Sequence, residues 1–247
     1  MRRNYDVAIV GGGHNGLIAA GLLARRGLKV VVLEKRSLVG GAAVTEQPWG
    51  PEFKMTSLSY VISLMPPSVQ QELQLEKFGY KIYPQHGYFV PYPDGSYLQL
   101  PEQLERKQAH VARYSPRDAQ ALARWDRWLG ELGKVLGPLL TQIPPRLGSY
   151  QPKDLWQLLN LAWKLRGCDV QKMGHITRLF TMSVADLLEE FFESPQLQGV
   201  MAVSGIIGTW AGPRSPGTAY VMAHHKIGDV GDGQMGSWGF PEGGMGG

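Results

Sequence analysis

The residues with the clearest capacity for chemistry are three glycines near the N-terminus, spaced as Gly11-x-Gly13-x-x-Gly16. They lie between an apolar run at residues 7–10, which predicts a buried parallel strand, and a helical pattern at residues 17–24. In such a turn the first glycine permits a sharp exit from the strand, and the second lets the main chain approach a pyrophosphate. The third lets the helix pack closely on the sheet. The helix N-terminus then offers unpaired N–H groups and a partial positive charge to the phosphates.

Two further features extend this unit. A second β-rich run at residues 30–33 ends in Glu34, whose carboxylate is placed to accept hydrogen bonds from the adenosine ribose. A carboxylate there also repels a 2′-phosphate, which argues against NADP at this site. His14 and Asn15 stand inside the glycine turn, where we expect them beside the pyrophosphate rather than in catalysis. A plain β–α turn would need neither three glycines nor a terminal acid, so the pattern predicts a dinucleotide site.

A second pair of glycines, Gly40 and Gly41, follows six and seven residues after the acid. This pair would permit another close approach of the main chain to the same pyrophosphate, or to a flavin ring beyond it. An NAD dehydrogenase has no obvious use for a second glycine site so soon after the first, whereas an extended FAD does. Lys35, Arg36 and Ala42 are the remaining candidate cofactor contacts. For Arg36, a phosphate contact and a solvated surface position are about equally plausible.

Together with three later segments, these motifs resemble the N-terminal FAD site of flavin-dependent oxidoreductases of the phytoene desaturase type. That group includes the carotenoid desaturases, retinol saturase and, more distantly, the amine oxidases. The later segments are residues 114–119, residues 215–218 with Tyr220, and residues 238–246. Within that group, the chain most resembles the branch of the pyridine nucleotide-disulphide oxidoreductase domain-containing proteins.

This resemblance implies an FAD-dependent oxidoreductase that takes hydride from C–C (CH–CH) bonds of an apolar substrate such as a polyene. Many relatives place an arginine directly after the glycine pair, where this chain has Ala42. That departure shifts the comparison away from amine substrates. A flavin amine oxidase-like enzyme and a non-catalytic flavoprotein or interaction module remain the alternatives.

Composition restricts the class of protein further. The 247 residues are 43% hydrophobic with a formal charge of +4, so the chain can bury a core and has no basic run that favours nucleic acid. The single cysteine, Cys168, excludes a disulfide framework within this chain and favours a reduced, cytoplasmic protein. We expect no signal peptide, and the longest run of apolar and small residues, 199–212, is too short to span a bilayer and fits a buried helix. The oligomeric state is open.

The order of the predicted elements indicates an α/β fold: a Rossmann-like FAD-binding lobe with an inserted α+β substrate lobe of antiparallel hairpin strands and helices. We expect residues 1–65 to form the first part of the FAD lobe and residues 66–238 the first part of the substrate lobe. Residues 239–247 would begin the return to the FAD lobe. The glycine-rich end would normally start another element, so we expect an N-terminal fragment whose FAD lobe lacks strands and which can be inactive by itself.

Three tyrosine-rich runs predict the strands of the substrate lobe, at residues 80–83, 88–92 and 97–100, with a Pro-Asp-Gly-Ser turn between the last two. A helix is expected before them, at residues 68–78, and Ser115 is expected to cap a later helix. That later helix carries five apolar side chains at helical spacing, which we expect in the core: Ala119, Leu122, Trp125, Leu129 and Leu132.

Residues 153–166 predict an amphipathic helix with two tryptophans and flanking basic residues. Such a helix can lie on a membrane surface, which suits an enzyme with a lipid-soluble substrate. Packing of its apolar face on the lobe is the favoured alternative. The adjacent His224 and His225 lack a third ligand at suitable spacing, and no nucleophile–base set is recognisable. We therefore assign no metal ligand and no catalytic residue, which agrees with a flavin as the electron sink.

Overall fold

The computed structural model describes residues 4–230 and 235–247. They form two compact units. The first unit contains the chain up to Gln85 together with the segment from Gly228 onward, and the second contains residues 86–227. Residues 66–85 therefore belong to the same compact unit as the glycine turn. The division into functional lobes at residues 1–65, 66–238 and 239–247 stays a prediction, because a compact unit is not defined by the ligand that it binds.

The first unit begins with the strand–turn–helix–strand arrangement that the sequence predicts. Strand β1, Val7–Val10, leads into helix α1, His14–Arg25, and strand β2 follows at Val30–Leu33. The two strands pair in parallel, from Val7 opposite Val30 to Val10 opposite Leu33. The apolar periodicity predicted a helix from residue 17. Helix α1 begins three residues earlier, because the last residues of the glycine motif already form its first helical turn. The Rossmann-like α/β fold is thus confirmed.

A short antiparallel hairpin and a short helix follow in the first unit. Strand β3, Thr45–Glu46, pairs with strand β4, Met55–Thr56. The helix expected over residues 68–78 is instead a short helix α2, Pro67–Leu73, followed by a separate 3-10 turn. The prediction of one continuous helix was wrong because Gln74 between them adopts a left-handed backbone, with φ of +55°.

One strand of the first unit pairs with the end of the chain. Strand β5, Ile82–Pro84, is antiparallel to strand β8, Gly239–Pro241. The run at residues 80–83 is thus extended, as predicted, and it lies in the first unit, whereas the other two tyrosine-rich runs lie in the second. A Cβ atom on Gly239 would lie 2.2 Å from Cγ2 of Ile82, so the glycine permits this close pairing.

The second unit consists of the predicted hairpin and seven helices among its described residues. Strand β6, Tyr88–Pro91, pairs with strand β7, Tyr97–Leu100, as the Pro-Asp-Gly-Ser turn predicts. The helices, in chain order, are α3 Leu104–Val111, α4 Pro116–Leu136, α5 Pro152–Leu165, α6 Val170–Thr181, α7 Val184–Glu189, α8 Pro195–Ile206 and α9 Thr218–His225.

Helix α4 is central to the core of the second unit. Its five predicted core side chains are all buried, between 1% and 7% exposed. The hydroxyl of Ser115 accepts a hydrogen bond from the Asp118 amide, so the predicted cap is confirmed. The fully buried carboxylate of Asp118 in turn accepts from the amides of Glu193 and Ser194 and from the Ser194 hydroxyl. This network fastens the start of α4 to the connection between α7 and α8.

Two helices are less buried than expected. The run at residues 199–212 was expected to form a buried helix. Helix α8 overlaps this run, and its Leu197 and Gly205 are buried, but its other residues are half-buried or exposed. The prediction that the apolar face of α5 packs on the lobe was wrong, since Leu155, Leu159 and Trp163 are exposed. Over the described residues, no helix is long and apolar enough to cross a membrane.

Candidate functional site

The turn after β1 is held in a shape that requires glycine. Gly11 has φ of +97°, and its amide donates to the Leu33 carbonyl at 2.8 Å, which closes the turn across the end of β2. A Cβ atom on Gly16 would lie only 2.4 Å from the Gly11 carbonyl oxygen and 3.3 Å from Cγ2 of Ile9. Gly16 therefore lets helix α1 start directly against strand β1, as the sequence predicts.

The N-terminus of α1 is open to an anion. Its N-cap is Gly13, and the first helical residues, His14 and Asn15, are exposed. Among the described residues, no side chain caps this helix end and no acidic side chain lies in its first turn. The first-turn amides and the positive end of the helix dipole thus face outward, which is the arrangement that binds phosphate.

Glu34 lies at the end of β2, directly beside the glycine turn. One carboxylate oxygen accepts from the Gly12 amide at 2.7 Å and the other from the Arg36 amide at 2.9 Å. These amides, that of Arg36 first, hold the pKa of Glu34 below its usual value, so the side chain is ionised at neutral pH. Each oxygen keeps a lone pair, so the carboxylate can still accept from ribose hydroxyls.

The glycine pair lies against the glycine turn. The Gly40 amide donates to the Gly12 carbonyl at 2.7 Å, and Gly40 forms a parallel bridge with Gly13. A Cβ atom on Gly41 would lie 3.0 Å from Cα of Gly13. Both members of the pair have positive φ, +120° and +65°. The structure thus joins two segments that the sequence could only suggest were neighbours.

The other candidate residues are placed differently from one another. The guanidinium of Arg36 forms an ion pair of 2.5 Å with Glu46. The Ser57 hydroxyl, more than Arg36, keeps the pKa of Glu46 low, so this pair is charged on both sides. Lys35 is exposed, and Ala42, also exposed, accepts a hydrogen bond from the Ser59 amide. Arg36 is thus on the surface and paired with an acid, and its contact with a phosphate stays a prediction.

Two residues of the site were missed in the sequence. Gly12 is buried, and a Cβ atom there would lie 3.0 Å from Cγ1 of Val39 and 3.2 Å from the Glu34 carboxylate. Its signal was the unbroken run of three glycines, in which we assigned roles only to the outer two. The acidic partner of Arg36, Glu46, had no local signal, because it lies ten residues further along the chain, beyond the glycine pair.

The glycine-rich end of the chain packs in the same unit. The Gly246 amide donates to the Thr45 hydroxyl at 3.0 Å, and that hydroxyl donates to the Gly243 carbonyl at 3.2 Å. A Cβ atom on Gly244 would lie 2.3 Å from Oγ1 of Thr45. These glycines therefore allow a close contact with the β3–β4 hairpin, which directly follows the glycine pair.

No side-chain set for catalysis or metal binding stands out. In the part of the chain that the structure describes, no group of three histidine, cysteine or acidic side chains could hold a metal ion. His225 bonds to the Ser204 carbonyl, and burial keeps the pKa of His224 below its usual value. Cys168 is a free, half-buried thiol. The arrangement can therefore hold a dinucleotide, but it supplies no acid, base or nucleophile that we can assign.

Comparison with known proteins agrees with the geometry of the first unit. Residues 9–74 match the family model of the NAD(P)-binding Rossmann-like domain. Pyridine nucleotide-disulfide oxidoreductase domain-containing protein 2 of Rattus norvegicus is 32% identical over 262 residues, which cover all of this chain and 44% of that protein. The chain therefore spans less than half the length of this relative.

Two shorter matches have names that describe reactions. One of the subunits of limonene dehydrogenase from Castellaniella defragrans is 38% identical over 119 residues, covering 48% of this chain and 22% of that protein. All-trans-zeta-carotene desaturase of Myxococcus xanthus is 31% identical over 161 residues, covering 62% of this chain and 29% of that protein.

Solved structures share the fold at low sequence identity. Cyclohexylamine oxidase from Brevibacterium oxydans superposes with a TM-score of 0.53 and 19% identity, over 96% of this chain and 46% of that one. Rab GDI from Plasmodium falciparum superposes with a TM-score of 0.53 and 12% identity, over 98% of this chain and 53% of that one. At this identity the likeness establishes the fold and says nothing of the substrate.

Proposed function

We propose that this chain, a relative of FAD- and NAD(P)-binding oxidoreductases, binds FAD as part of an enzyme that oxidises C–C bonds of an apolar substrate. The proposal has two levels. Dinucleotide binding follows from the Rossmann-like domain, whereas the choice of FAD and of the substrate class is our inference. Because the chain spans less than half of its rat relative, the inference concerns the activity of the whole protein.

One observation favours FAD over a nicotinamide cofactor: the glycine pair lies directly on the glycine turn. The 2.7 Å hydrogen bond from Gly40 to Gly12 holds a second segment without side chains against the turn that leads into α1. A cofactor that continued past the pyrophosphate would pass this second segment. The position of Gly41, whose Cβ would press on Gly13, leaves room for the main chain only.

The residues present fit the adenosine diphosphate part of such a cofactor. The first-turn amides of α1, at His14, Asn15 and Gly16, would bind the pyrophosphate, and Glu34 would bind the ribose hydroxyls. Because hydrogen bonds keep Glu34 ionised, its charge would repel a 2′-phosphate. Arg36 is neutralised by Glu46 and so does not offset that repulsion.

Bound FAD would supply the electron sink, accepting a hydride from a substrate carbon while a proton leaves the adjacent carbon and the single bond becomes double. This chain's part is to bind and orient the cofactor through its nucleotide end. We assign proton transfer to none of the described residues.

The apolar substrate class rests on relatives whose names contain limonene and zeta-carotene. Carotenoid desaturation is one reaction of this class, and the sequence resemblance to phytoene desaturases favours it. The amine oxidase alternative has a solved structure of the same fold in cyclohexylamine oxidase, but at 19% identity the fold does not support amine chemistry. The lone cysteine, Cys168, is consistent with a reducing, cytoplasmic location.

The test is anaerobic reduction of FAD bound to the purified whole protein, since the inference concerns its activity. An apolar terpenoid or polyene hydrocarbon is expected to abolish the visible absorption of the flavin, and a primary amine is expected to leave it unchanged. Reduction by the amine would favour the amine oxidase alternative. A flavin reduced by dithionite but by no substrate would favour the non-catalytic module, and a folded protein that binds no FAD would refute the proposal at its first step.

A variant of Glu34 tests the expected contact with the ribose. Replacing Glu34 with alanine removes the expected ribose contact, and we expect FAD affinity to fall about tenfold. The same change is expected to raise affinity for NADP relative to NAD, since the repelling charge is gone. Unchanged affinities in a folded variant would show that Glu34 does not contact the ribose.

A further inference from the structure

The outer face of helix α5 is apolar and exposed. Leu155, Leu159 and Trp163 repeat at four-residue spacing along it, and Trp156 lies beside them. Trp156 and Trp163 are 70% and 65% exposed, far more than tryptophans that belong to a core. Four large apolar side chains on one helix face are therefore in contact with solvent, which is costly unless something covers them.

The opposite face of α5 is less exposed, and the Lys164 ammonium donates to the Pro138 carbonyl and the Gln142 side chain. Buried Asp154 and half-buried Gln157, Leu161 and Leu165 follow one another at three- and four-residue spacing. The large apolar side chains therefore share the more exposed face of the helix.

The loop before α5 continues the exposed apolar surface. Leu147 and Tyr150 are 85% and 90% exposed. The loop is tied to the helix, because the Ser149 hydroxyl donates to the buried carboxylate of Asp154 at 2.5 Å. We call the exposed side chains of this segment the α5 surface; they are Leu147, Tyr150, Leu155, Trp156, Leu159 and Trp163.

The exposed charges within residues 140–168 all have one sign, and the next exposed acid along the chain is Asp169. Arg146, Lys153, Lys164 and Arg166 are exposed, and within residues 4–230 and 235–247 none of them forms an ion pair with a carboxylate. The acid in this segment, Asp154, is buried and hydrogen-bonded. Exposed charge from residue 140 to residue 168 is therefore entirely positive, which complements an anionic partner.

We propose that the α5 surface docks on an anionic lipid bilayer. Tryptophan and tyrosine favour the boundary between headgroups and acyl chains, and lysine and arginine beside them favour anionic lipid. Helix α5 has 14 residues and is about 21 Å long, shorter than the ~30 Å hydrocarbon core, so it lies in the plane of the interface. This proposal is independent of the cofactor.

A second copy of the chain fits this surface less well. In a symmetric dimer the α5 surfaces would face each other, and the four cations of each copy would approach those of the other. An anionic bilayer meets the same cations with opposite charge. An acidic protein would be negatively charged like the bilayer. The experiment distinguishes the two, because lipid vesicles contain no protein and binding to them requires the lipid alone.

The experiment is co-sedimentation of the full 247-residue chain with lipid vesicles at low salt. We expect binding to phosphatidylcholine vesicles that contain phosphatidylglycerol and much weaker binding to phosphatidylcholine alone. Replacing Trp156 and Trp163 with serine is expected to lower the partition coefficient roughly tenfold for each tryptophan. Replacing Lys153 and Arg166 with glutamine is expected to lower it roughly 30-fold on anionic vesicles only.

Trp210, which is fully exposed and outside this segment, provides the matched control. Trp210→Ser is expected to bind vesicles like the wild type, and all variants are expected to keep the wild-type thermal melting curve. Absence of binding to anionic vesicles would overturn the proposal. Equal loss in Trp210→Ser would also overturn it, as would tryptophan variants that bind normally, or that only convert a dimer to a monomer in light scattering.

Discussion

Replacing Gly41 with alanine should weaken FAD binding, whereas replacing Gly27 with alanine should only lower the stability of the fold. Gly41 has φ of +65°, and a Cβ atom there would lie 3.0 Å from Cα of Gly13. Gly27 provides a matched control: its φ is +85°, and over the described residues nothing lies within 4 Å of its Cβ position. Both alanines carry the left-handed backbone penalty of about 1–2 kcal/mol, but only the one at position 41 presses on the glycine turn.

The extra effect at position 41 can be estimated. Gly13 must move by a few tenths of an ångström, which disturbs the amides expected to bind the pyrophosphate. A hydrogen bond to a charged group contributes about 1.5–3 kcal/mol, so the loss of one raises the Kd for FAD roughly 10- to 100-fold.

Isothermal titration with FAD and urea unfolding measure the two quantities separately. We expect both variants to lose similar stability and only Gly41→Ala to lose affinity. Equal loss of FAD affinity in Gly27→Ala would refute the reasoning, and so would normal affinity in a folded Gly41→Ala protein.

Three other predictions are measured by urea unfolding. Gly16→Ala places a methyl group 2.4 Å from the Gly11 carbonyl oxygen and should lower the free energy of unfolding by about 1–3 kcal/mol; no loss would show that α1 can move away from β1. Asp118→Ala removes the acceptor of three hydrogen bonds and should cost about 3 kcal/mol, whereas a cost under about 1 kcal/mol would mean that the network contributes little. Burial and the nearby His225 lower the pKa of His224 in the folded chain. As the pH falls, this histidine is therefore protonated in the unfolded chain at a higher pH than in the folded chain. The free energy of unfolding should therefore fall as the pH drops below about 6.5, and His224→Gln should reduce this dependence; an unchanged slope in the variant would contradict it.

The sequence predicted the elements whose signals are local. The glycine spacing and the two flanking strands were sufficient for the turn around Gly11 and Gly16, since each role depends on neighbours within a few residues. The cap at Ser115 and the core face of α4 were predicted for the same reason. The hairpin of β6 and β7 follows from its own turn residues.

Contacts between distant segments could not be predicted. Strand β5 pairs with β8 from the end of the chain, and nothing in either run specifies its partner. The hydrogen bond from Gly12 to Glu34 depends on the parallel register of β1 and β2. Packing of the α5 face was wrongly favoured over its exposure, because amphipathic spacing defines a face without showing what it contacts.

The central claim is that the glycine turn and the glycine pair together bind FAD. It is tested most directly by amide NMR spectra of the isotope-labelled chain during titration with FAD. We predict shifts concentrated at residues 11–16 and 34–42, and little change within residues 86–227. A folded spectrum that FAD leaves unchanged, or shifts confined to residues 86–227, would contradict the claim.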